Sequence, residues 1–196
     1  MIDILEKMKT TSYHFITNWQ VEATCKEVYT ILKEADDLAR WWPAVYLDVA
    51  TLQKGDAAGL GKIVELYTKG WLPYTLKWQF KVTEVHPDTY SGFSLEAFGD
   101  FVGQGVWTFN QNNQYCDIIY DWQLSAEKPL LKYLSFIMKP LFSANHHWAM
   151  QKGLESLKIE LLRRRGVLNL PAPPPPTFPH NLLNNKVLSN HKLVNL

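Results

Sequence analysis

Hydrophobic and polar residues alternate along this chain with two periods, and the switches between them mark its elements. From Tyr13 to Ala23, the residues Phe15, Thr17, Trp19, Val21 and Ala23 alternate with His14, Asn18, Gln20 and Glu22. Period two predicts a half-buried strand, with Ile16 the one misfit. Thr24 and Glu27 then have the spacing of a capping box, which starts a helix. Val28, Ile31, Leu32, Ala35 and Leu38 give that helix an apolar face. Trp41-Trp42-Pro43 ends it, because a residue before proline is pushed to an extended backbone.

After Pro43 the period returns to two. Strands are predicted around 45–49, 62–69, 76–83, 92–98, 105–110 and 115–124. The clearest has Leu76, Trp78, Phe80 and Val82 on one face; the last has Cys116, Ile118, Tyr120, Trp122 and Leu124. Gly55, Gly59 and Gly61, then Gly70 to Pro73, His86-Pro87-Asp88 and Gln111-Asn112-Asn113 supply the turns. From Pro129 the period lengthens. Leu130 to Met138 reads as a short helix or loop-helix, and Pro140 as the first turn of a longer one. In the latter, Ser143, His147, Met150, Leu154, Leu157 and Leu161 form one stripe. Consecutive strands with short turns imply an antiparallel sheet, so the class is α+β. About seven strands with one apolar face need a cover, and the long C-terminal helix supplies it.

Composition changes this picture only at the ends. Of 26 aromatic residues, all but Phe178 fall within 13–148, and six of eleven prolines crowd into 171–179. The expected organisation is an N-terminal arm at 1–11, one domain at 12–166 and a Pro-rich disordered tail at 167–196. Leu182, Leu183, Val187, Leu188 and Leu193 could form a short docking helix within it. A net charge of +1 provides no global field for nucleic acid. Lys77 and Lys81 alone do not make the basic groove that a single-strand stacking platform needs. Arg163, Arg164 and Arg165 read as a solvated helix terminus. No apolar run is long enough to span a membrane. Two isolated cysteines, Cys25 and Cys116, make neither a disulfide framework nor a zinc site, and a reduced, cytoplasmic setting is expected. No cofactor or metal motif stands out, and no phosphate loop or nucleophile elbow is present.

The segments Leu38-Ala39-Arg40-Trp41-Trp42-Pro43, Gly103-Gln104-Gly105-Val106-Trp107-Thr108-Phe109 and Asn145-His146-His147-Trp148-Ala149-Met150-Gln151-Lys152-Gly153 carry a resemblance. Over residues 12–165 the chain resembles the START-like helix-grip superfamily, in its polyketide cyclase/dehydrase and lipid-transport-like subgroup. The resemblance implies a curved antiparallel sheet gripping the long C-terminal helix, with a cavity between them. Such proteins bind small hydrophobic ligands, and some are enzymes.

Candidate wall residues follow from the inward faces: Trp78, Phe80, Trp107, Tyr120 and Trp122 from the sheet, His147 and Met150 from the helix stripe. Tyr and Trp pair an apolar body with one hydrogen-bonding group, which suits a small-molecule site. The blander role for each is core packing. His147 reads as either a helix histidine bonded to a neighbour or a pocket acid/base. His146 is off the stripe centre, and adjacent histidines on a helix cannot easily share one metal ion. Glu65 or Glu96 would have a raised pKa if either faced an apolar cavity. Trp41-Trp42-Pro43 reads as a helix stop, with a rim role as the alternative. The leading expectation is binding or transport of a lipid, isoprenoid or polyketide-like molecule, with transient membrane contact allowed. A cyclase/dehydrase using His147 or a carboxylate, and a structural module with a filled core, are the alternatives.

Overall fold

The computed structural model describes residues 12–126 and 129–180. The arm at 1–11 and the leucine-bearing end at 181–196 lie outside the described residues. Seven strands run in chain order: β1 (Ser12–Glu22), β2 (Tyr46–Gln53), β3 (Ile63–Lys69), β4 (Thr75–Val85), β5 (Gly92–Gly99), β6 (Phe101–Asn112) and β7 (Tyr115–Ala126). They form one antiparallel sheet in the order β1-β7-β6-β5-β4-β3-β2. Helix α1 (Cys25–Lys33) follows β1, and a single turn, α2 (Leu38–Trp41), precedes β2. The long helix α3 (Pro129–Arg164) closes the concave face. This is a helix-grip architecture.

Local chemistry accounts for most element boundaries. Both halves of the Thr24–Glu27 capping box are formed, and α1 begins at the next residue. In β1 the odd-numbered residues Tyr13, Trp19 and Val21 are buried, while Ile16 is 57% exposed on the outer face. In β7, Cys116, Ile118, Tyr120, Trp122 and Leu124 all face inward and are buried. Asn112 pairs with Tyr115, so the hairpin turn is Asn113-Gln114, one residue later than the sequence predicts. Asn113 has φ of 53°, a left-handed conformation that asparagine tolerates.

Two helices depart from expectation. The apolar face expected to run from Val28 to Leu38 is broken at Glu34, where a 3-10 turn over Ala35–Asp37 separates α1 from α2. Leu38 and Trp41 are buried nonetheless, because the turn redirects them to the same core. The helix expected to begin at Pro140 begins instead at Pro129 and carries Pro140 inside it. Proline removes one backbone donor there, yet the helix continues on both sides.

Residues 167–180 have no regular structure but are not detached from the domain. Pro176 is buried. The Thr177 hydroxyl donates to the Gly70 carbonyl at 2.9 Å, and the Lys69 ammonium donates to the Phe178 carbonyl at 2.6 Å. The chain beyond α3 is thus strapped to the end of β3. The C-terminus of α3 is tied down separately. The Glu160 carboxylate is 1% exposed and takes Arg40 in a fork, at 2.9 and 2.7 Å, with Arg163 and Arg164 on the same oxygens. Arg165 reaches Glu27 of α1 at 2.8 Å. The arginine run is therefore a structural clamp.

Candidate ligand-binding site

A cavity of about 140 Å³ lies between the sheet and the middle of α3. Four strands contribute through their inward alternation. β1 supplies Tyr13 and Phe15, β3 supplies Thr68, β4 supplies Leu76 and Trp78, and β7 supplies Tyr120, Trp122 and Leu124. The segment after α2 adds Trp42, Val45 and Tyr46. Phe142, Asn145, His146, Ala149 and Met150 of α3 form the facing wall, with Lys69, Gly70 and Tyr74 at the β3–β4 corner. Nine of these side chains are aromatic.

Of the seven predicted site residues, the structure brings four together here: Trp78, Tyr120, Trp122 and Met150. Phe80 is buried, but faces a separate depression toward the Gly55–Lys62 loop. Trp107 stands one layer behind, stacked on Tyr120 with centroids 4.0 Å apart. His147 is exposed beside Ser143 in an outer groove, and His146 takes the place expected for it. Glu65 and Glu96 lie outside the cavity; Glu65 pairs instead with Lys77 at 3.0 Å.

The reversal of the two histidines has a steric cause. Gly153 faces Trp42 so closely that an added Cβ would land inside the indole. The predicted stripe holds at Met150, Leu157 and Leu161, which are buried, and is off by one position at the cavity end, where Phe142 and His146 face inward in place of Ser143 and His147. Small residues mark where a partner comes closest, and a search for large hydrophobic ones passes over them. Trp42 is consequently neither a mere helix stop nor a rim residue: it is 3% exposed and forms part of the wall.

The polar groups of the wall are few and strongly perturbed. His146 stacks on Phe15 at 4.2 Å, and its Nε2 lies 3.5 Å from the Thr17 hydroxyl. Burial, helped by neighbouring His147, lowers its pKa to about 4, so the ring is neutral at pH 7. Burial pushes the Tyr46 phenol well above its ordinary range. It does the same to Tyr120, with Tyr46 and Asp121 adding to the effect. Burial raises Tyr74 to about 12, with Tyr13 contributing. The Trp78 indole N–H donates to Thr68 Oγ1 at 3.0 Å. Asn145 Oδ1 accepts from the backbone N–H groups of Trp71 and Leu72, at 2.9 and 3.2 Å, which fixes the β3–β4 corner against α3. Tyr120 lies between Trp107 and Trp122 in a row of rings, over Gly105, where a Cβ would meet its hydroxyl at 2.8 Å.

Neither a protein-family model nor a curated protein matches the sequence. Solved structures do match. The Zhui aromatase/cyclase from Streptomyces sp. R1128 aligns with TM-score 0.63 and 13% identity, covering 79% of this chain and 96% of that one. Norcoclaurine synthase from Thalictrum flavum, in complex with dopamine and hydroxybenzaldehyde, aligns with TM-score 0.53 and 15% identity, covering 82% and 92%. Ara h 8.0201 aligns with TM-score 0.52 and 10% identity, covering 78% and 99%. At such identities the likeness is one of fold.

Proposed function

We propose that this chain, whose fold is a START-like, polyketide cyclase-type helix grip, binds one small hydrophobic molecule between the sheet and α3 and carries or senses it unchanged. One observation carries the reading: a wall of nine aromatic side chains encloses about 140 Å³ at the centre of the fold. Apolar surface buried there contributes roughly 25 cal/mol per Å² before the costs of ordering. The volume is close to the ~150 Å³ of an engineered apolar cavity that takes benzene. It therefore favours a compact ring over a long acyl or isoprenoid chain. Among the described residues no helix is long and apolar enough to cross a membrane.

The cyclase or dehydrase alternative is weaker. No carboxylate is among the described wall residues, and a histidine with a pKa near 4 is a poor base at neutral pH. The test is native mass spectrometry of protein purified from its host, followed by titration with one-ring aromatics. A co-purifying or titrating molecule that leaves chemically unchanged is the expected result. An apo mass, with no thermal shift across an aromatic, lipid and polyketide panel, would overturn the reading. Turnover of the bound molecule would instead establish the enzyme.

A further inference from the structure

We propose that the ligand of this cavity presents a hydrogen-bond-accepting oxygen and carries no positive charge, with the Tyr46 and Tyr120 hydroxyls donating to that oxygen. The inference rests on the cavity reading above and narrows its ligand class. It comes from an imbalance in the wall. Among the described residues, no hydrogen bond ties either phenol hydroxyl to the protein, and both side chains line the cavity, where the hydroxyls stay open to its space rather than sealed in the core. Trp42, beside Tyr46 at a ring distance of 5.2 Å, has a buried indole N–H that is also without an acceptor. A polar group that an entering ligand seals from water without a partner costs about 1–3 kcal/mol, so a ligand that fills this cavity is favoured when it pairs with these groups. Burial holds both phenols protonated, with Tyr46 and Asp121 adding to the effect at Tyr120, so each has a proton to donate.

The carbonyl- and hydroxyl-type acceptors of Thr68 and Asn145 on the same wall are occupied, and the remaining acceptors, the phenol oxygens and the neutral His146 ring, carry no negative charge. Thr68 Oγ1 is bonded to the Trp78 indole, and Asn145 Oδ1 holds two backbone amides. An ammonium ligand would meet no carboxylate among the described wall residues, and Lys69 already stands in that wall. A cation without a counter-charge is strongly disfavoured in an apolar site. The expected ligand thus differs from dopamine, an amine, which norcoclaurine synthase holds in its crystal.

Three matched one-ring probes test this by ligand-observed NMR titration: acetophenone, its methylene isostere α-methylstyrene, and 1-phenylethylamine. We expect acetophenone to bind about tenfold tighter than α-methylstyrene, and the amine weakest, because only the ketone satisfies the stranded donors. In the Tyr46→Phe/Tyr120→Phe double variant, which keeps both rings, the ketone preference should fall to about twofold or less. The affinity for α-methylstyrene should stay within about twofold, which also reports that the cavity is intact. Equal binding of ketone and isostere by the unaltered protein, an amine as tight as the ketone, or a preference that survives the double variant would overturn the inference while leaving the cavity reading standing. Failure of all three probes to bind would remove the cavity reading itself, and this inference with it.

Discussion

Gly153 shows how much one absent side chain decides. In the interior of an exposed helix, glycine to alanine stabilises by about 1 kcal/mol. Here the added methyl would enter the Trp42 indole. We therefore expect Gly153→Ala to destabilise by about 1–3 kcal/mol in urea unfolding, the opposite sign to propensity. The two histidines make a second contrast. His146→Ala opens the wall and should weaken binding of an aromatic probe several-fold, whereas His147→Ala should leave it within error in the same titration. Acid separates them as well. His146 is held neutral, with its pKa lowered to about 4 from an ordinary 6.5. Its contribution to stability is present above pH 6.5 and is lost as pH falls through 4. His146→Phe should thus lose less stability than the parent between pH 6.5 and 4, measured by chemical denaturation. The sequence reading set His147 on the stripe and His146 off its centre, the reverse of their placement at the cavity. The informative signal was Gly153, whose smallness matters only once Trp42 is known to lie opposite it.

At the scale of elements, the strands were the legible part. In every strand but β2, where a register irregularity after Tyr46 leaves that side chain in the cavity wall, the alternation of apolar and polar residues follows the burial of a sheet with one covered face. Trp78, Tyr120 and Trp122 could be assigned inward for that reason. Alternation says which face a residue occupies but not its depth along the strand. Phe80 and Trp107 share the inward face and still miss the cavity. The clamp at the end of α3 was missed because its partners are far apart: Glu160 and Arg40 are 120 residues apart in sequence. Burial alone would raise the Glu160 carboxyl, but hydrogen bonds from Arg40 and Arg164 outweigh it and bring its pKa to about 2, against an ordinary 4.5. A depressed carboxylate stabilises the fold fully above pH 4.5, and that contribution is lost as pH falls toward 2. We expect Glu160→Gln to cost about 1–3 kcal/mol at pH 7, since its arginine partners are partly solvated, and to flatten the stability profile between pH 4.5 and 2. Thermal unfolding across that range reads both effects.

For the whole molecule, the strap changes what counts as the domain. Composition drew a boundary at residue 166, where prolines and polar residues begin. Composition cannot see that Thr177 and Phe178 reach back to Gly70 and Lys69. Those two residues sit at the corner that also walls the cavity. A chain ended after Leu170 should lose about 1–2 kcal/mol of stability, because the Lys69 ammonium and the Gly70 carbonyl lose their partners. It should also exchange an aromatic probe faster, measured by NMR line shape, than the full chain does.

The order of elements has a consequence for how the protein is made. β1 pairs with β7, about a hundred residues later, and the helix that covers the concave face is the last helix among the described residues. On the ribosome, therefore, the first strand waits for nearly the whole sheet, and the sheet then waits for its cover. During that interval the rings that later enclose the cavity face water. Nascent chains stalled before α3 would display that aromatic surface to whatever is nearby, and such surfaces associate. The same aromatic face that gives the finished protein its cavity makes its unfinished form a client for protection.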